Sequence, residues 1–137
     1  MTSERGQVTV MVLGLAIMSL AIAGLAVDGT RAFLLRRTLQ DAADAASLAG
    51  AGEINRVEYY GSGGRDIELA PEEAARRARE FLALRRIAAS VSLDVDDDVR
   101  LVLRGSSKTL FLALIGVSEV PVAVESNAVP VSGDLPP

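Results

Sequence analysis

The sequence predicts an α+β chain, with a long N-terminal transmembrane and stalk helix followed by a small domain. That domain carries a mainly antiparallel three-stranded sheet with helices on one face. Three observations predict it. Residues 6–27 form a run of 22 residues without a charged side chain. A tract of small residues follows at 39–51 and keeps the helical period. Beyond residue 90 the apolar period switches from helical to two.

The uncharged run is long enough to cross about 30 Å of hydrocarbon, which takes about 20 apolar residues as a helix. A cleaved secretory signal is the rival reading, since Ala21-Ile22-Ala23 fits a small-x-small cleavage pattern before Gly24. The run exceeds the usual 7–15 residues of a signal core, and Glu4 cancels Arg5 in front of it, so a retained anchor is preferred. Ser19 and Ala23 form a small-xxx-small pair suited to close helix packing. Asp28 ends the apolar run, and Arg31 stands one turn further on. By count alone, Arg31, Arg36 and Arg37 place the C-terminal side of the span in the cytoplasm.

Leu35, Leu39, Ala42, Ala46 and Ala49 are spaced 4, 3, 4, 3 and form a heptad-like seam, with Arg37, Asp41 and Asp44 off it. Alanine buries little area, so the seam suits a helix packed closely on a domain or a neighbouring subunit. A helix over 8–49 is about 60 Å long at 1.5 Å per residue. Gly50 and Gly52 are its expected stop signals.

Residues 52–70 read as a loop, with Tyr59-Tyr60 either an exposed contact or, as preferred, a cover for the domain. Gly61-Ser62-Gly63-Gly64 lacks the Gly-Lys-Ser/Thr and the preceding strand of a phosphate-binding loop. Pro71-Glu72-Glu73 opens a helix, because proline suits its first turn and acids its positive end. Its apolar face runs through Ala74, Ala78, Phe81 and Leu82 to about Ser90, with Arg85 falling on that face. Val91, Leu93 and Val95, then Val99, Leu101 and Leu103, alternate as a hairpin about Asp96-Asp97-Asp98. The acids do not have the spacing of a calcium loop: Val99 and Gly105 stand where Gly and Glu are needed. Residues 108–115 read as a short apolar helix or turn ending at Gly116. Residues 119–131 read as a final strand, placed at the sheet edge by Pro121 and Pro130. The expected organisation is 1–51 transmembrane and stalk helix, 52–70 loop, 71–131 small extracytoplasmic domain, and 132–137 tail.

The net charge of −4 argues against nucleic acid as a partner. The chain has no cysteine and no histidine, so it lacks a thiolate, the usual general base and the commonest transition-metal ligand. Ser106-Ser107-Lys108 is not a catalytic pairing by adjacency alone. No enzyme activity, cofactor, metal site or small-molecule substrate is expected.

Arg5-Gly6 before the apolar run, residues 24–31 (GLAVDGTR) at its end and residues 39–51 (LQDAADAASLAGA) together resemble the TadE/TadG-like family of tight-adherence (Flp-type) pilus assembly proteins. The last block is the most specific. Residues 109–116 (TLFLALIG) with the following Val-rich strand also look like this family. The resemblance implies a single-pass bacterial membrane protein, with its domain outside or in the surface pilus. It implies a minor-pilin-like role and other pilin or assembly subunits as partners. It also implies a processing position at Gly6-Gln7. The fifth residue after such a cut is Met11, where the cleaved pseudopilins carry glutamate, so the chain looks closer to TadG-like members. Ser19, Ala23, Asp28, Arg31, Leu35, Leu39, Gln40, Asp41, Ala42, Asp44 and Ala46 are the expected assembly and helix-packing residues. A membrane-tethered envelope binding module unrelated to pili is the alternative.

Overall fold

The computed structural model describes residues 3–63, 65 and 68–130. Helix α1 spans Ser3–Ala51. Helix α2 is Arg56–Gly61, and α3 is Pro71–Leu84. The strands are β1 Ser90–Val95, β2 Val99–Lys108 and β3 Glu119–Ala128, with a short 3₁₀ helix at Leu112–Ile115 between the last two. They form a three-stranded antiparallel sheet in the order β1-β2-β3. The expected α+β architecture is present.

Two compact units share these elements. One combines the chain up to Leu34 with Ser106–Pro121. The other combines Leu35–Gly105 with the chain from Val122 onward.

In the second unit the core lies between α1, α3 and the sheet. Leu39, Ala42, Ala43 and Ala46 of α1 meet Leu82, Leu101, Leu103, Val122 and Val124, with Leu35 and Phe81 at the margin. A smaller cluster joins Ala51, Leu69, Ala74 and Val99. The alternation of buried Val99, Leu101 and Leu103 with exposed or half-buried neighbours is the period-two pattern of a sheet with one covered face. The hairpin register pairs Ser90 with Arg104 and Val95 with Val99. The Asp96 N–H donates to the Asp98 carbonyl at 3.1 Å across its turn.

Several boundaries differ from expectation. The 52–70 segment contains α2, because the Asn55 side chain accepts the Glu58 N–H at 3.3 Å and caps it. Ile54 and Leu69 close this segment as an antiparallel bridge. Tyr59 is half-buried and meets Tyr60 edge-on at 5.5 Å, but Tyr60 itself is exposed and covers nothing. Gly50 does not stop helix α1, which ends at Ala51, just before the expected stop at Gly52. Helix α3 ends at Leu84, well before Ser90, and Arg86 adopts a φ of 50° just after it. Arg85 does not break the apolar face; its guanidinium sits 4.8 Å over the Phe81 ring. Strand β2 takes Lys108, which restricts the apolar helical segment to Leu112–Ile115. Strand β3 ends at Ala128, so Pro130 follows it rather than lying within it. Gly64 and the expected tail at 132–137 lie outside the described residues.

Candidate assembly and membrane-boundary site

In the first unit, α1 leaves its apolar side chains exposed from Val8 to Leu25. This stretch is long and apolar enough to cross a membrane. Ser19 keeps its hydroxyl satisfied by donating to the Leu15 carbonyl one turn back, at 2.9 Å. Thr30 does the same to Ala26 at 2.8 Å. Gly6, Gln7, Ser19 and Ala23 are all exposed on this helix.

Among the described residues of α1 in this unit, Gly24 and Asp28 are buried, one turn apart on a single face. Both are covered by the turn after β2. Asp28 Oδ1 accepts the Leu110 N–H at 2.8 Å. Its Oδ2 accepts the N–H groups of Phe111 at 2.9 Å and Leu112 at 2.8 Å. Successive N–H groups that open a helical turn converge on one point, and a carboxylate with two acceptor oxygens matches that geometry. The Phe111 ring occupies the space over Gly24: a Cβ there would lie 2.4 Å from Phe111 Cγ. The turn is held shut from within, since the Thr109 N–H donates to Ser118 at 3.0 Å and the Val117 N–H to Leu112 at 3.0 Å. Gly116, with φ of 92°, takes the left-handed position that ends the 3₁₀ helix. Asp28 is thus engaged by its own chain, while Arg31 is exposed.

In the second unit, the 39–51 tract builds one wall of the core. Leu39, Ala42, Ala43, Ala46 and Ser47 are all nearly or fully buried. Leu35 is half-buried, and Asp41 and Asp44 are exposed. The small side chains are needed for close approach: a Cβ on Gly50 would stand 3.0 Å from the Ala74 carbonyl oxygen. The polar members of the tract secure its rim. Gln40 Nε2 donates to Asp44 Oδ1 at 2.8 Å and to the Glu125 carbonyl at 3.2 Å. Ser47 Oγ and Ser126 Oγ share a buried hydrogen bond of 2.8 Å.

The structure therefore brings Leu35, Leu39, Ala42 and Ala46 to one packed face, with Gln40 and Asp44 beside it. Ser19, Ala23, Arg31 and Asp41 make no such contact. Sequence reasoning missed Gly24, Ala43, Ser47 and the 110–112 turn. A glycine and an aspartate four residues apart at the end of an apolar run carry no sequence signal of the turn that covers them. Among the described residues, no cluster of acidic side chains is arranged to hold a metal ion.

Neither a curated protein nor a solved structure matches the chain. A family model does: residues 6–53, covering the apolar span, the Gly24–Asp28 patch and the alanine-rich wall, match Tad, the Flp pilus-assembly TadE/G-like family. The N-terminal part of this protein is therefore similar, over residues 6–53, to a TadE/G-like Flp pilus-assembly domain.

Proposed function

We propose that the protein is a membrane-anchored, minor-pilin-like component of a tight-adherence (Flp/Tad) pilus assembly system, acting without catalysis. The observation that carries this reading is the match over residues 6–53 to a pilus-assembly family, on a helix whose first part exposes an uncharged apolar surface. Such a surface needs lipid or another apolar helix around it. The helix anchors the chain and packs laterally with other assembly subunits, and the small helix–sheet domain is displayed on the extracytoplasmic side. Gly6, Ser19, Ala23, Arg31 and Asp41 are exposed and are the residues available to such partners.

Deletion of the gene tests the role: loss of surface pili, restored by the full chain, supports it, and normal piliation overturns it. Co-purification with pilus-machinery subunits separates it from an envelope binding module, which brings down a single unrelated ligand. N-terminal sequencing of membrane-extracted protein tests the anchor. A start at Gln7 adds pilin-type processing, whereas a start at Gly24 removes the span and overturns the reading. Domain orientation is read by accessibility of an introduced cysteine at exposed Leu48, since the chain has no native cysteine.

A further inference from the structure

We infer that the turn at residues 109–118 is a second membrane-inserted element, immersed among lipid acyl chains beside the span; this rests on the anchor proposed above. Four observations within the first unit carry it. The ten residues TLFLALIGVS contain no charge and are bracketed by Lys108 and Glu119. Their large apolar side chains face outward: Leu114 is 84% and Ile115 77% exposed, with Leu110 and Val117 also open. The turn lies along the spanning part of α1, where Ile17, Leu20 and Leu25 form an apolar groove with Phe111, Leu114 and Ile115. Ile17 is eleven residues before Asp28, about 16 Å along the helix axis at 1.5 Å per residue. A turn reaching that far down the span lies below the water boundary wherever Asp28 marks it.

The fourth observation is the backbone. Irregular chain enters hydrocarbon only if its polar groups are satisfied without water. Here the N–H groups of Leu110, Phe111 and Leu112 go to Asp28. Those of Thr109, Leu114, Gly116 and Val117 go to carbonyls of the same turn, and the Thr109 hydroxyl goes to Val117. Asp28 therefore acts as the group that makes the turn compatible with lipid. Continuity with the span selects lipid as the occupant: a surface flush with a lipid-facing helix meets the same solvent.

The test uses single-cysteine variants of the full chain, Ile115→Cys, Leu20→Cys and Leu48→Cys. Each carries an environment-sensitive fluorophore in vesicles containing phosphatidylcholine brominated on its acyl chains. Ile115 is expected to lose fluorescence to brominated lipid to the same degree as Leu20 and to resist aqueous iodide. Leu48 is expected to respond to iodide alone. Quenching of Ile115 by iodide, with Leu20 still lipid-quenched, places the turn in water and overturns the inference while leaving the anchor standing. Protection of Ile115 from both quenchers means that protein, a second copy, covers the turn, and also overturns it. Loss of lipid quenching at Leu20 overturns the anchor itself.

Discussion

Asp28 and Phe111 are joined at 2.9 Å, carboxylate to backbone N–H, and the same side chain reaches the N–H groups on either side of Phe111. Replacing Asp28 with Ala leaves three donors without that acceptor. Asn is little better, because its NH₂ faces donors. Both variants are expected to melt at lower temperature than the wild type in detergent micelles. Both should also be cleaved faster by protease within residues 109–118. An unchanged cleavage pattern would show that the turn is held without Asp28.

Gly24 and Phe111 form a size-matched pair. Gly24→Val overpacks the contact and is expected to cost about 1–3 kcal/mol. A Phe111→Ala background removes the ring but leaves the position-111 Cβ 2.7 Å from a Cβ at position 24, so Gly24→Ala is expected to cost less there than in the wild type without becoming stabilising. A double-mutant cycle on denaturant unfolding measures the difference.

The wall formed by the alanine tract admits no larger side chain. Ala43 is fully buried, and Ala43→Leu is expected to destabilise the second unit by about 1–3 kcal/mol. On the facing strand, Leu101→Ala opens a cavity and is expected to cost about 2–5 kcal/mol. Both are read from the denaturation midpoint.

Ser47 and Ser126 satisfy each other in a buried site. Ser47→Ala strands the Ser126 hydroxyl, at about 1–3 kcal/mol, whereas Ser126→Ala costs less because Ser47 keeps the Asp44 carbonyl at 3.1 Å. The double variant Ser47→Ala/Ser126→Ala is expected to be nearer the wild type than the additive sum. Strict additivity would mean that the pair is not coupled.

Local pattern made much of this fold legible. The span, the seam through Leu39, Ala42 and Ala46, the hairpin register and the opening of α3 all follow from period, charge and proline placement. Short elements were harder. Helix α2 hides in a polar segment, where Asn55 with Glu58 three residues on was its signal. The end of α3 depends on the backbone at Arg86, which no periodicity encodes. The partners of Asp28 were beyond reach because a carboxylate at the end of an apolar run looks the same whether water or a distant backbone binds it. Gly24 was equally opaque: a glycine in a spanning helix declares a close neighbour only once Phe111 is in place.

The separation between Asp28 and its partners also orders events at the ribosome. Leu110 lies 82 residues after Asp28. At about 5–20 residues per second, about 4–16 s of synthesis pass before those donors exist. On the proposed anchor, the nascent helix meets the bilayer with a free carboxylate at its edge, a hydrated stop that keeps it from sliding deeper. The turn arrives afterwards and buries that carboxylate, so on the same proposal completion of the chain converts a provisional depth mark into a permanent latch.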